Sequence, residues 1–210
     1  MSCRLDKDHD VTMRRLGLMI AIVAMLTAST AHDVHSQDVS ASSEYLIKAG
    51  FIYNFANLVQ WPASTFPQPD SPIVIAILGQ DHFGTTLDRV LEGKKVNGRP
   101  FVIKRLKTVS ELLKSVAELK DYQILFISSS EMPRLAETIQ IVKSIPVLTI
   151  GEAPGFAKNG GMINLILEDN RVRFEVNVEA AKEADLNISS RLLALARIVP
   201  QGAADGRKAE

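Results

Sequence analysis

The sequence predicts a single α/β domain, in which a mostly parallel sheet is flanked by helices and carries a C-terminal antiparallel β-hairpin. Short apolar runs of strand length alternate four times with helical patterns, the order that gives a parallel sheet with helical crossovers. Residues 171–178 alternate apolar and polar side chains after an Asp169-Asn170 pair, as expected for a hairpin with one buried face. A hydrophobic content of 46% over 210 residues suffices for one core.

The first helix is predicted over residues 44–60, because apolar side chains recur there at helical spacing. A flexible leader at residues 32–43 precedes it. Ser42 or Ser43 can cap this helix. Trp61-Pro62 should end it, since the residue before a proline is pushed out of the α region.

The remaining elements follow from apolar runs and turn signals. Strands are predicted at residues 73–78, 101–106, 124–127 and 147–150. Helices are predicted at residues 83–91, 108–120, 133–143 and 189–199. Thr108-Val-Ser-Glu111 forms a capping box for the second of these helices, and residues 128–130 can cap the third.

The N-terminus predicts export. Arg14 and Arg15 precede an apolar segment of about a dozen residues, and small residues follow up to Ala31. A cleavable signal peptide at residues 1–31 fits this pattern, because the apolar segment is shorter than the ~20 residues that span a bilayer. An uncleaved anchor is the alternative. The domain would then occupy residues 44–200 without membrane insertion, followed by a disordered tail at residues 201–210.

Composition excludes several functions. Cleavage would remove four of the 24 basic and three of the 24 acidic residues, leaving 20 and 21. A nearly neutral chain does not attract nucleic acid or anionic lipid. The one cysteine, Cys3, leaves with the signal peptide, so neither a disulfide nor a thiol nucleophile is expected.

The loop from Gly79 to Gly84 is a candidate anion site, because it follows a strand and opens a helix. Its candidate residues are Gly79, Asp81, His82 and Gly84. The alternative is an ordinary turn capped by Asp81, since the loop is neither G-x-G-x-x-G nor a P-loop.

No catalytic residue, metal site or cofactor is predicted. His82 is the only histidine outside the signal peptide and leader, and no cluster of ligands surrounds it in the sequence. Ser128-Ser-Ser130 lacks the G-x-S-x-G elbow. A hydrolytic enzyme therefore has no triad, metal cluster or paired carboxylates to support it.

The glycine-rich loop at residues 151–161 and the polar face of the hairpin form the candidate partner-binding surface, because ligand-binding loops gather at the carboxyl ends of parallel strands. Its predicted residues are Phe156, Lys158, Asn159, Met162, Asn164, Glu168, Arg171, Arg173, Glu175 and Asn177. Alternatively, Phe156 fills the core, while Asn164, Arg173 and Asn177 satisfy buried backbone groups or cover an edge strand.

With these residues in view, the chain resembles the YfiR-like family of exported bacterial proteins over residues 45–199. The similar motifs lie in the first helix and its Trp61-Pro62 end, in the turn at residues 95–100, in the strands, and in the segment from Gly160 to Leu193. The order and spacing of these motifs make the resemblance specific.

This resemblance implies a periplasmic, often dimeric protein that regulates by contact. The best-known relative inhibits an inner-membrane diguanylate cyclase by binding its periplasmic sensor domain, and an envelope signal relieves that inhibition. Tyr122 and Ala76 lie near positions where many relatives carry cysteine, so redox switching is not expected. A periplasmic receptor for a small anionic or aromatic ligand is the alternative function.

Overall fold

The computed structural model describes residues 34–114, 116–200 and 202. The predicted signal peptide and nearly all of the predicted tail lie outside these residues. The described residues before Glu44 belong to one unit and those from Glu44 onward to another, and the fold below is that of the second unit. None of the described helices combines the length and apolar character needed to cross a membrane.

The strands and helices are numbered in chain order. The strands are β1 (Val59–Gln60), β2 (Ile73–Leu78), β3 (Lys95–Val96), β4 (Arg99–Leu106), β5 (Ile124–Ile127), β6 (Leu148–Gly151), β7 (Ile163–Glu168), β8 (Arg171–Val176), β9 (Asn187–Ile188) and β10 (Arg197–Ile198). The α-helices are α1 (Val34–Leu58), α2 (Thr86–Leu91), α3 (Val109–Lys114), α4 (Leu135–Val142), α5 (Val178–Glu183) and α6 (Ser190–Leu193). Three 3-10 helices occupy Ala63–Thr65, Val116–Asp121 and Ser129–Arg134.

An eight-stranded sheet organises the domain, in the order β10-β8-β7-β6-β5-β2-β4-β3. The five strands from β7 to β4 in this order run parallel, and β8 joins β7 antiparallel. The predicted α/β class, parallel sheet and C-terminal hairpin are therefore confirmed. β2 and β5 have the predicted bounds and are buried along their whole length, as strands covered on both faces should be.

The helices bury both faces of the sheet. On one face, α1 and α2 pack against alternate strand residues such as Ile75, Phe126 and Ile150. On the other face, α3 and α4 cover the intervening residues, which include Ala76 and Leu125. Period-2 alternation of side chains thus supplies two cores from one set of strands.

The first helix differs from its predicted bounds. It begins at Val34, within the segment predicted as a leader, and ends at Leu58. Val59–Gln60 then pairs with β9 as a small antiparallel sheet, so the chain leaves the helix before the Trp61-Pro62 signal takes effect.

Two local predictions at helix starts meet different outcomes. The Glu111 amide donates to Thr108 Oγ1 at 3.3 Å, whereas the Glu111 carboxylate accepts from the Lys107 amide and not from Thr108. The hydroxyl half of the capping box is thus formed as predicted, whereas the carboxylate half acts one residue earlier. Ser128 makes no side-chain cap bond at the 3-10 helix that follows it, so that capping prediction is wrong for this residue.

The helix that the sequence predicts at residues 189–199 is formed only in part, as α6. After the single turn of α6 the chain becomes β10, which pairs parallel with the last two residues of β8. The hairpin is therefore not the edge of the sheet along its whole length. β10 covers Glu175 and Val176 and leaves the rest of β8 open.

Candidate protein-interaction surface

The β7–β8 hairpin projects from the carboxyl edge of the parallel sheet. β6 pairs with β7 only at residues Ile163 and Asn164, so the last four residues of β7 extend beyond it. Asp169 and Asn170 close the hairpin with φ angles of 50° and 56°, the left-handed pair that two-residue turns require. The predicted turn is confirmed.

The inner face of the hairpin is apolar and packs against α1. The Phe174 ring lies 5.4 Å from that of Phe51 and 5.2 Å from that of Phe55, measured between centroids. These contacts fix the hairpin to the longest helix of the domain. A surface on this hairpin is therefore presented on a stiff element, as a binding site needs.

The outer face carries the charges, which form a connected group. Arg197 Nη2 donates to both oxygens of Glu168 at 2.7 and 2.8 Å, and its Nη1 lies 3.7 Å from Glu175. Arg173 approaches the same Glu168 at 3.7 Å. The hydrogen bonds to Glu168 raise the pKa of Arg197. With exposed Arg171, three arginines and two glutamates share this face.

The two asparagines predicted for partner binding are buried and have structural roles. Asn177 accepts from the Ala180 amide and so caps α5, and its Nδ2 donates to the Ala157 carbonyl. Asn164 donates to Glu175 at 3.0 Å. Because neither side chain reaches solvent, the prediction that they contact a partner is corrected in favour of the structural alternative.

Phe156 is also buried, and it fills a slot between two glycines. A Cβ placed on Gly151 would lie 2.3 Å from its ring, and one on Gly161 only 2.1 Å. Met162 is also buried, and its amide donates to Thr149 Oγ1 at 3.0 Å. Neither Phe156 nor Met162 can contact a partner in this conformation. Phe156 fills the core, in agreement with the alternative prediction for this residue.

Lys158 and Asn159 remain exposed on the loop. Together with α4 and α5 they border an open groove of about 520 Å³. The Lys158 carbonyl accepts from the Gly202 amide at 2.9 Å, so the end of the described chain lies along the same groove. Lys143 supplies a second ammonium group at its rim.

The loop from Gly79 to Gly84 does not form an anion site. The Asp81 carboxylate accepts from the amides of Phe83 and Gly84 at 2.8 and 3.2 Å. The protein's own anion thus occupies the donors that a ligand would need. The Gln80 amide is bonded to Ser130 Oγ. The ordinary turn capped by Asp81 is what the structure shows.

A buried ion pair near the base of the hairpin was not predicted. Lys48 on α1 contacts Glu152, the residue after β6, and Tyr45 donates to the same carboxylate at 2.9 Å. Burial, followed by the charge of Glu152, raises the pKa of Tyr45. The available signal was the position of Lys48, which falls on the apolar stripe with Tyr45, Ala49 and Ile52.

No group of three or more histidine, cysteine or carboxylate side chains within the described residues could hold a metal ion. The described fold is an open α/β sheet with a projecting hairpin that carries charged side chains on one face and apolar ones on the other. The chain belongs to the YfiR/HmsC-like family, whose model matches residues 45–197. This match confirms the resemblance found in the sequence. Membership of this family supports a periplasmic regulator of diguanylate cyclase signalling in general.

No curated protein matches the chain in sequence. Among solved structures, the chain is similar to the ABC domain from Streptococcus pneumonia solved in complex with L-Trp, with 10% identity and a TM-score of 0.48. The similarity covers 60% of this chain and 55% of that one. A likeness this distant transfers no ligand to the present protein.

Proposed function

We propose that this protein binds the periplasmic sensor part of an inner-membrane diguanylate cyclase and inhibits it, and that an envelope signal relieves the inhibition. The observation that carries the proposal is the hairpin surface. Leu167, Leu195 and Ile198 are 53%, 75% and 51% exposed. The register places Leu167 and Ile198 on the face opposite the charges, one strand thickness away. Large exposed apolar side chains near charged ones are characteristic of protein-binding surfaces.

In this proposal the two kinds of side chain have different tasks. Burial of the apolar groups on contact supplies binding free energy. Arg171, Arg173, Glu168 and Glu175 set the orientation and the association rate, because exposed charges steer encounter more than they add affinity. Lys158 and Asn159, on the loop, extend the contact surface.

Cross-linking with mass spectrometry on intact cells tests this function. A tagged wild-type protein should capture a diguanylate cyclase, and deletion of the gene should raise cyclic di-GMP. The double variant Arg171→Glu/Arg173→Glu should lose the capture, whereas Lys107→Glu, an exposed change on the far side of the sheet, should keep it. Capture of no cyclase by the wild type, with cyclic di-GMP unchanged on deletion, would contradict the proposal.

Export is part of the proposal. Cleavage after Ala31 would release a periplasmic chain. N-terminal sequencing of the protein from the periplasmic fraction should begin at His32. A full-length product retained in the membrane would support the anchor instead.

The groove of about 520 Å³ favours a second candidate function, binding of a small anionic ligand. Lys143 and Lys158 stand at its rim and would supply the positive charge. A panel of small carboxylates and phosphates should then raise the thermal unfolding midpoint, and Lys143→Ala/Lys158→Ala should abolish the rise. If no compound shifts the wild type, this function loses its support.

A further inference from the structure

The outer edge of β8 is open over four residues. β10 pairs with Glu175 and Val176 alone, and residues 171–174 continue past it toward the turn. Exposed sheet edges present backbone groups that can pair with another strand. Leu195, one of the exposed apolar side chains described above, lies at this edge.

The register shows which backbone groups face outward. The Asn177 amide donates to the Met162 carbonyl at 2.8 Å, so Asn177 directs its backbone groups toward β7. Antiparallel pairing alternates this direction from residue to residue. The backbone groups of Arg173 therefore also point toward β7, whereas those of Val172 and Phe174 point away from it. The Val176 carbonyl confirms the alternation, because it faces outward and accepts from the Val199 amide of the β10 segment at 3.0 Å.

A groove of about 390 Å³ runs along this edge. Phe51, Val172 and Phe174 line it from the inner face of the hairpin, and Ile166 and Arg173 from the outer face. Leu195, 75% exposed, borders it as well. Since both faces contribute, the groove occupies the space beside β8 in which one more strand would lie.

The charges disfavour a second copy of the same edge in this space. Two β8 edges related by a two-fold axis would place Arg173 opposite Arg173, or Arg171 opposite Arg173. Like charges directly opposite each other destabilise an antiparallel pair. A strand with acidic side chains on that face and apolar ones on the other would meet Arg171 and Arg173 favourably and fill the apolar side of the groove.

We propose that residues 171–174 of β8 bind an extended segment of the partner protein as an added strand, and that this segment alternates acidic and apolar side chains. The inference rests on the proposed function, of which it names the docking edge and the chemistry of the partner segment. Main-chain hydrogen bonds to Val172 would give affinity, and alternate side chains would give specificity.

The test uses two labelled peptides, one alternating Glu with Val and Leu and the other alternating Lys with the same apolar residues. The full-length protein should bind the acidic peptide, more weakly as salt is added, and should not bind the basic one. Hydrogen exchange should show protection of the Val172 amide on binding. Val172→Pro removes that amide without breaking a bond to β7, as proline is tolerated at an outward edge position.

Val172→Pro should weaken binding about tenfold or more, the value of one lost main-chain bond of this kind. Val172→Ala, which keeps the amide, should weaken it less. An unchanged thermal midpoint would show that the proline variant is folded. Failure of the acidic peptide to bind, equal binding of both peptides, or protection at β7 in place of Val172 would overturn the inference.

A self-association that Val172→Pro abolishes, seen by sedimentation, would also overturn it in favour of a second copy. These results are independent of the cross-linking experiment. Capture of a cyclase together with a failed peptide test would reject this docking edge alone, whereas binding of the acidic peptide without capture of a cyclase would reject the proposed partner alone.

Discussion

Lys48 Nζ lies 2.8 Å from Glu152 Oε2, and the two side chains are 5% and 4% exposed. Glu44 reaches the same ammonium group from one helical turn before it. This pair fastens α1 to the end of β6, next to the start of the hairpin. A pair of apolar residues could stabilise this contact equally well. Removal of one charged partner, however, leaves the other charge buried and unpaired.

Lys48→Met should therefore lower the free energy of unfolding by about 3–5 kcal/mol, because Glu152 and Glu44 lose their counterion. Urea denaturation measures the change. Lys182→Met, on an exposed helical position, is the control and should cost little. The double variant Lys48→Met/Glu152→Gln should recover part of the loss. If Lys48→Met lowers the free energy of unfolding by less than about 1 kcal/mol, the carboxylates do not need this counterion.

The close fit around Phe156 makes a second prediction. Gly161→Ala should destabilise the protein by about 1–3 kcal/mol, since its Cβ would overlap the Phe156 ring. Gly50→Ala is a control of opposite sign, because nothing lies within 4 Å of its Cβ position in α1. It should stabilise by about 0.5–1 kcal/mol. Thermal unfolding compares the two, and equal effects would contradict the overlap.

The elements that can be predicted from the sequence are those that depend on local patterns. The strands β2 and β5 are predictable to the residue, because continuous β-branched and apolar runs of this length suit a strand buried on both faces. The hairpin is predictable because alternation and turn chemistry agree. In each case the information is local.

The errors arise where tertiary contacts decide. Residues 189–199 have helical spacing, yet Arg197 and Ile198 form a strand because the edge of β8 offers a partner. Phe156 in a glycine-rich loop suggests a contact residue, and only the approach of Gly151 and Gly161 shows that it is a core residue. Alternation predicts the exposed residues of the hairpin, whereas the sequence leaves open whether Asn164 and Asn177 contact a partner or have a buried structural role.

A glycine in the hairpin turn should stabilise the fold. Asn170 has a φ of 56°, which a glycine adopts without strain. Asn170→Gly should raise the free energy of unfolding by about 0.5–1 kcal/mol, as measured in urea. Glu179→Gly, within helix α5, is the matched glycine control and should lower it by about as much. Destabilisation by both variants would mean that the turn does not demand a left-handed residue.

Arg105 gives the protein a specific response to acid. It contacts Asp81 and Asp88 at 2.7 and 2.5 Å. Its hydrogen bond to Asp88 lowers the pKa of that carboxyl below the ordinary value of 3.8. A lowered pKa in the folded state adds stability that is complete well above pH 3.8 and is lost as the pH falls through the folded value. Asp88→Asn should therefore lower the free energy of unfolding near neutral pH and make its decrease below about pH 5 shallower than in the wild type.

Urea unfolding at low salt between pH 2 and 7 measures this pH dependence for the wild type and the variant. Arg105→Gln should remove the same acid-dependent component, so that Asp88→Asn in that background changes the slope no further. Parallel slopes in the wild type and Asp88→Asn would show that this exposed pair is screened by solvent.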